Sequence, residues 1–342
     1  MTRPLGQLIL ARLREPLRQP ETIFWTFFFP AVLALALGIA FRRQAPEPVT
    51  AAVVSVPGAD RLAAGLRQAP EIQVEVLDAA AAERRLRQGG VTVVVFPGDP
   101  VRYRFDPTRP ESRLARLTID AAVQRAAGRR DPAAAVDEHA TTPGGRYIDF
   151  LIPGLLGMNI MGGALWGIGW VIVEARTRKL LKRLLATPMR RRDFLLAHML
   201  ARLAFLPVEV VVLLGFAWLL FGVGVAGSLF SLALITILGA LSFAGLGTLC
   251  ASRARTLETM SGLINLCTLP MILLSGVFFA TSRFPDVMRP VIRLLPLTAL
   301  IDATRAIMME GTSLFALGPE IAVLLVWGGL SYLLALKLFR WS

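Results

Sequence analysis

The sequence has 342 residues, of which 55% are hydrophobic and 18% are charged, and its formal net charge is +13. Soluble proteins carry about 25% charged residues, and almost half of the charged side chains here lie in one stretch, residues 42–146. An ordinary soluble enzyme, a disordered chain and a disulfide-stapled secreted domain are therefore excluded, and the long apolar runs indicate a membrane protein. The basic residues stand mainly at the ends of these runs, where membrane topology places them, so we expect no nucleic-acid partner.

Residues 1–20 are predicted to form a cytoplasmic amphipathic helix. Arginines occupy one face of this helix, and apolar side chains recur at helical spacing on the other: Leu5, Leu8, Ile9, Leu13 and Leu17. A helix with this pattern lies along a membrane surface rather than across the bilayer.

Six apolar segments are long enough to cross a hydrocarbon core of about 30 Å, which needs about 20 residues. The first is 21–41, and the other five lie within 147–342. Their apolar parts cover 23–41, 148–173, 194–221, 229–251, 257–280 and 321–339. The predicted fold class is a polytopic α-helical membrane protein with six transmembrane helices and an amino-terminal interfacial helix.

Residues 42–146 are predicted to form a small α/β domain between the first two spans. Val-rich segments with strand character lie at 51–56, 72–77, 91–96 and 101–105, and Pro-Gly or Gly-Gly pairs separate them. Helical patterns lie at 60–68, 79–88 and 111–127. We find no catalytic or metal-ligand pattern: His139 is interpreted as a solvated linker residue, and Cys250 and Cys267 as packing residues in apolar runs.

Positive charge in the short loops determines the predicted orientation. Residues 174–192 hold eight basic side chains against the single acid Glu174, which favours the cytoplasm. Both termini are then cytoplasmic, and residues 42–146 form an extracytoplasmic domain. The Arg-rich, Lys-poor composition is typical of a high-GC bacterial gene, so the predicted location is the bacterial inner membrane.

Residues 174–192 also have the pattern of a helix that docks on something. Four leucines recur at helical spacing among the cations before Pro188 interrupts the helix. Because an apolar stripe must be buried against lipid or a protein partner, we interpret this segment as a docking helix. A basic loop that only fixes topology is the alternative.

Two segments of the sequence resemble the ABC-2 permease family, the transmembrane subunits of type V ATP-binding-cassette exporters, in the branch with a large extracytoplasmic loop between the first two spans. The stretch EARTRKLLKRLLATPMRRRDFLLAHML, which begins at Glu174, is similar to the family's coupling segment. It departs from that segment at Arg178-Lys179, where the family usually carries a glycine. Residues 273–311 look like the re-entrant helices that follow the fifth span, placed here at about 281–316.

The resemblance implies an exporter subunit that is not itself an enzyme. A separate ATP-binding-cassette ATPase would dock on the coupling helix 174–192 and hold ATP and Mg, since no G-x-x-x-x-G-K-S/T loop occurs in this sequence. No cofactor is expected on this chain. A second permease chain, in a homo- or heterodimer, would complete the pathway, with membrane lipid as a further partner. The implied substrate is an amphiphilic small molecule, a drug-like compound or a lipid. Whether residues 42–146 bind substrate or a periplasmic adaptor stays open at this point.

Three groups of candidate site residues follow. The predicted ATPase-coupling residues are Glu174, Arg176, Arg178, Lys179, Leu181, Thr187 and Pro188. The predicted substrate-pathway residues, in the second and fifth spans, are Asn159, Trp166, Met260 and Asn265, although either asparagine would equally suit an interhelical hydrogen bond. The predicted pair in the re-entrant helices is Asp302 with Arg305, which are three residues apart and would meet on one helix face.

Glu209 lies inside the third predicted span, where a carboxylate is costly to bury. We interpret it as the partner of Arg202, which lies about two helical turns earlier on the same face. The alternative is a proton site, which would make the protein an ATP-independent, proton-coupled secondary transporter. A third hypothesis, a receptor or an intramembrane enzyme, has no supporting motif in the sequence.

Overall fold

The structure is a computed structural model that describes residues 20–41, 48–129, 145–179 and 191–338. The predicted amphipathic helix up to residue 19 lies outside the described residues, and so do Leu181, Thr187 and Pro188 of the predicted docking helix. The chain divides into two compact units. We name residues 1–42 with 141–342 the helical unit and residues 43–140 the inserted unit, and each is described by itself.

The first described element of the helical unit is a helix that contains one π turn. It runs through Pro20–Ile23, the π turn Phe24–Phe28 and helix α1 at Phe29–Ala40. Pro30 explains the irregularity, because proline has no amide hydrogen to donate to the carbonyl four residues earlier. That carbonyl belongs to Thr26, inside the π turn, and it lacks the donor that a regular α-helix would supply at position 30.

The inserted unit is a four-stranded sheet with helices on both faces. The strand order is β2-β1-β3-β4, with β1 parallel to β2 and β3, and β4 antiparallel to β3. The strands are β1 (Val49–Val54), β2 (Ile72–Leu77), β3 (Val93–Phe96) and β4 (Arg102–Phe105). The helices are α2 (Ala59–Leu66), α3 (Ala79–Arg87) and α4 (Pro110–Ala126). Each observed strand begins within two residues of the segment that the sequence pattern predicts.

Strand β1 lies at the centre of the inserted unit and is buried on both faces. Successive strand side chains point to opposite sides of a sheet, so Ala51 and Val53 pack in the core formed with α2 and α4. Ala52 and Val54 pack in the core formed with α3. A continuous apolar run is therefore required in this strand, and the sequence supplies it.

After the inserted unit, the described part of the helical unit contains seven α-helices. They are α5 (Tyr147–Thr177), α6 (Arg191–Phe221), α7 (Leu229–Arg253), α8 (Leu257–Leu274), α9 (Arg289–Arg293), α10 (Pro296–Arg305) and α11 (Gly318–Leu338). Helix α5 is central, because Leu151, Leu155, Ile160 and Leu165 are fully buried among its neighbours.

Five helices in the described part of the chain are long and apolar enough to cross a membrane. They are Tyr147–Thr177, His198–Phe221, Leu229–Arg253, Leu257–Leu274 and Leu314–Leu338. The first predicted span is a shorter apolar helix, Phe24–Ala40. The total of six membrane-spanning helices therefore stays a prediction.

The fifth predicted span, 257–280, is too long. Helix α8 ends at Leu274, and Gly276 then adopts a left-handed conformation with φ of +78°. Glycine reaches that conformation without a steric penalty and so redirects the chain, although the apolar residues continue beyond it. Short helices follow up to Leu317, and α10 buries Leu297, Leu300 and Ile301 in the same core as α5.

Candidate functional site

A cleft of about 1020 Å³ lies within the helical unit. Its walls come from the first helix around the π turn, from the carboxyl-terminal half of α5 and from the amino-terminal half of α6. Gly162 and Gly167 of α5 line it, and a Cβ atom at either position would meet nothing within 4 Å. The absence of side chains at these two positions leaves open space along this face of α5.

Aromatic rings form much of the wall of the cleft. They are Trp25, Phe29, Trp166, Trp170 and Phe205. Trp166 and Trp170 are four residues apart on α5, with ring centroids 6.0 Å apart, and Trp25 and Phe29 have centroids 5.1 Å apart. Because residues four apart share a helix face, each pair presents two neighbouring rings on one helix.

A buried ion pair also lines the cleft. The guanidinium of Arg202 donates to both carboxylate oxygens of Glu209, with 2.8 Å between Nη2 and Oε2. The side chains are 10% and 2% exposed, respectively. The sequence-based interpretation of Glu209 as the partner of Arg202 is therefore confirmed.

Gly163 makes room for this ion pair. A Cβ atom at Gly163 would lie 2.7 Å from Cζ of Arg202, closer than any normal contact. The two glycines of the Gly163-x-x-x-Gly167 spacing therefore have different surroundings. The first accommodates a guanidinium from α6, and the second faces the open cleft.

Asn159 closes the gap that Pro30 leaves in the first helix. Its side-chain Nδ2 donates to the backbone carbonyl of Thr26 over 3.0 Å. This is the carbonyl whose helical donor would have been the missing amide hydrogen of Pro30. Asn159 therefore lines the cleft and also links α5 to the π turn by an interhelical hydrogen bond.

The predicted pathway residues separate into two groups. Asn159 and Trp166 line the cleft. Met260 is fully buried and packs against Gly169, whereas Asn265 is exposed on α8. That Met260 and Asn265 belong to a substrate pathway stays a prediction.

Sequence reasoning missed several residues of the cleft, including Glu21, Trp25, Phe29, Trp170 and Phe205. A signal for some of them existed in the four-residue spacing of the aromatic pairs. That spacing predicts one shared helix face but does not identify the helix opposite.

The predicted coupling residues at the end of α5 have distinct surroundings. Arg178 Nη2 lies 2.8 Å from Glu174 Oε1, and the Arg178 side chain is 70% exposed. Arg176, in contrast, donates to the carbonyls of Ala251, Ser252 and Ala254 at the end of α7, with 2.9 Å to Ala251. A cation at these carbonyls satisfies helix-terminal acceptors and complements the helix dipole, so Arg176 ties α5 to α7.

Lys179 ends the described part of this segment in an unusual conformation. Its φ is +57°, the only positive value at a non-glycine residue among those the structure describes. The residue just after a helix commonly takes this left-handed conformation, and glycine is favoured there. The local geometry therefore explains why a glycine would suit Arg178-Lys179, where the sequence departs from the coupling segment it resembles.

Asp302 and Arg305 form the predicted contact at the opposite end of α5. Arg305 Nη1 lies 3.4 Å from Asp302 Oδ1, and Nη2 donates to the carbonyls of Gly276 and Phe150. The guanidinium also lies 4.0 Å from the ring centroid of Phe150. Arg305 therefore joins α10 to the start of α5 and to the turn after α8.

Arg146 binds the start of α5 at the same end of the unit. It donates to both carboxylate oxygens of Asp149, at 3.0 Å and 2.7 Å, and to the carbonyl of Phe221 at the end of α6 over 2.8 Å. The hydrogen bonds to Asp149 raise the pKa of Arg146 above its usual value.

Comparison with known proteins gives a consistent result. The family described as "ABC-2 family transporter protein" matches residues 20–337. The chain is 28% identical to ABC transporter G family member 20 of Dictyostelium discoideum over 194 residues, which are 56% of this chain and 26% of that protein. It is 29% identical to the probable multidrug ABC transporter permease YbhS of Escherichia coli over 173 residues, 47% of this chain and 43% of that protein. It is 32% identical to nodulation protein J of Rhizobium meliloti over 112 residues, 33% of this chain and 42% of that protein.

The chain spans less than half the length of each of these relatives. The family match, in contrast, includes the inserted unit and every helix that contributes to the cleft. Together with five helices able to cross a bilayer, this match makes the chain a multi-pass membrane protein. The chain belongs to the ABC-2 family of transporter proteins.

Proposed function

We propose that this chain is the membrane-spanning subunit of an ATP-binding-cassette exporter in a bacterial inner membrane. A separate ATPase subunit drives it, a second permease chain completes it, and its substrate is an amphiphilic small molecule, either a drug-like compound or a lipid. The observation that carries this proposal is the cleft, which combines aromatic walls with a few fixed polar groups inside a membrane-spanning helix bundle. Sites for small molecules have this composition, mostly apolar with few polar contacts.

The relatives support transport of small molecules without defining the substrate. YbhS carries the description of a multidrug permease, and residues of this chain match almost half of it. The aromatic rings suit the apolar part of an amphiphile, whereas Asn159 and the charged residues suit its polar part.

Docking of the ATPase is proposed at the end of α5 and along residues 174–192. In the described part of this segment, Arg178 and Lys179 are exposed. Arg176 is held by the carbonyls at the end of α7 and therefore supports the position of the segment from within the helical unit.

The proton-coupled alternative depends on Glu209 as a site that gains and loses a proton. Both oxygens of Glu209 already accept hydrogen bonds from Arg202, and the pair is buried. A charge-assisted pair of this kind is typical of a fixed structural element. The geometry therefore favours the ATPase-driven exporter over the proton-coupled one.

A substitution that narrows the cleft without disturbing the packing of the helices tests the proposed function. Inverted membrane vesicles containing the chain and its ATPase subunit are assayed for ATP-dependent uptake of N-phenyl-1-naphthylamine, a neutral amphiphilic dye. Gly167→Leu places a side chain in the open cleft, where even a Cβ meets nothing within 4 Å. We expect uptake to fall to the level measured without ATP.

Gly215→Leu is the matched control. Gly215 is exposed on α6, does not line the cleft, and also has nothing within 4 Å of a Cβ atom. This variant should transport the dye like the native chain. Equal transport by both variants would show that the cleft is not the transport route.

A further inference from the structure

Among the described residues that line the cleft, the charged side chains are mainly acidic. Three carboxylates, Glu21, Glu174 and Glu209, face one guanidinium, that of Arg202. His198 is the other ionisable side chain in the lining. In the described part of the lining, the acids therefore outnumber the permanent cations by three to one.

The ion pairs of the cleft leave this excess in place. Glu209 compensates the charge of Arg202, because both of its carboxylate oxygens accept hydrogen bonds from that guanidinium. Glu174 contacts Arg178, whose side chain is 70% exposed, so that water screens this pair. Glu21 is exposed and forms no ion pair within the described residues. Among the described residues, the cleft thus offers one carboxylate, that of Glu21, that no cation neutralises.

The aromatic lining favours ligands of the same sign. Trp25, Trp166 and Trp170 line the cleft together with two phenylalanines. An indole face attracts an organic cation through its quadrupole, and tryptophan does so better than the other aromatic side chains. The same rings also provide apolar contact for the body of the ligand.

We infer that the cleft selects organic cations. The substrate would be an amphiphile with an ammonium or similar cationic group near Glu21 and an apolar body against the tryptophans. The cleft volume of about 1020 Å³ is sufficient for one drug-sized molecule. This inference rests on the proposed function and adds to it the charge of the substrate.

Two probes of the same shape and opposite charge test the inference. Tetraphenylphosphonium and tetraphenylborate are each equilibrated by dialysis against the full chain with its ATPase subunit in phosphatidylcholine nanodiscs, and binding to protein-free nanodiscs is subtracted. We expect tetraphenylphosphonium to bind at least about tenfold more tightly than tetraphenylborate. Glu21→Gln should weaken tetraphenylphosphonium binding by about fivefold to tenfold and leave tetraphenylborate binding no weaker.

Glu258→Gln is the matched control, because Glu258 is an exposed acid in the first turn of α8 that does not line the cleft. It should bind both probes like the native chain. Similar affinity for the two ions, or equal effects of the two substitutions, would overturn the selectivity for cations. If cation selectivity were overturned but Gly167→Leu still blocked uptake of the neutral dye, the proposed function would stand without the selectivity. Failure of both ions to bind, together with unchanged dye uptake in Gly167→Leu, would overturn both proposals.

Discussion

Each unit of this protein contains an arginine–glutamate ion pair, and the two pairs differ in burial. In the inserted unit, Arg85 and Glu75 form an ion pair of 3.0 Å in which the side chains are 48% and 43% exposed. In the helical unit, the corresponding values for Arg202 and Glu209 are 10% and 2%. The chemical groups are the same, but the surroundings differ in how much water reaches them.

This difference determines what each pair contributes. An exposed pair stabilises a fold by about 0–1 kcal/mol, because water already solvates both partners. A buried pair has little net effect relative to apolar side chains of similar volume, but loss of one partner leaves a charge without water or counter-ion. The helical unit should therefore be sensitive to single substitutions that the inserted unit tolerates.

The largest expected effect comes from breaking the buried pair. Glu209→Ala should destabilise the helical unit by about 3–5 kcal/mol, because Arg202 would remain buried and charged. Glu75→Ala should destabilise the inserted unit by no more than about 1 kcal/mol. Amide hydrogen exchange measured by mass spectrometry on the full chain reports the opening of each unit separately and can compare the two.

A double substitution sharpens this comparison. Arg202→Met combined with Glu209→Leu removes both charges and should recover most of the stability that Glu209→Ala loses. A double variant as unstable as the single one would show that the pair provides more than mutual neutralisation. The same exchange measurement detects either result.

The second expected effect concerns the two glycines of α5. Gly163→Ala places a Cβ against the guanidinium of Arg202 and should destabilise the helical unit by about 1–3 kcal/mol. Gly167→Ala meets no atom within 4 Å, so it should be neutral or slightly stabilising. Thermal unfolding in detergent, followed by tryptophan fluorescence, measures both. Equal effects would contradict the different surroundings described for the two positions.

A small effect on stability is also expected at the exposed charges near the end of α5. Arg178→Glu combined with Lys179→Glu should change the free energy of unfolding by no more than about 1 kcal/mol. The ATPase subunit should nevertheless be lost from pull-downs out of native membranes, since these residues belong to the proposed docking segment. Retention of the ATPase by this variant would move the docking site elsewhere.

Arg176→Ala is the contrasting variant at the same end of α5. It removes the donor to the carbonyls at the end of α7 and should destabilise the helical unit by about 1.5–3 kcal/mol. If Arg176, Arg178 and Lys179 were reversed together, a loss of ATPase binding could come either from lost stability or from lost docking contacts. The structure therefore separates two roles within a run of residues that looks uniform in the sequence.

Long local patterns account for most of the fold that could be predicted. Apolar runs identify α5, α6, α7 and α11 within a few residues of their ends, and Val-rich segments identify the strands of the inserted unit. The prediction failed at the end of α8, because the apolar residues continue past Gly276 while the backbone turns there. A single glycine conformation outweighed a hydropathy signal that averages over many residues.

The pairing of Arg202 with Glu209 was predictable because both residues lie on one helix, where spacing alone fixes their distance. The cleft itself was not. It depends on Asn159 reaching the carbonyl of Thr26, and on Arg202 lying over Gly163. Each of these contacts joins helices whose relative rotation and separation are absent from the local pattern.

The sequence by itself therefore determined the membrane class, most of the long helices, the strands and the resemblance to ABC-2 permeases. These features follow from hydrophobic periodicity and from short motifs, which act over neighbouring residues. Only the tertiary structure decided which glycine faces open space, which arginine is held by buried hydrogen bonds and where aromatic and acidic side chains meet. Those outcomes depend on helix packing, in which each side chain must fit against residues that are distant in the chain.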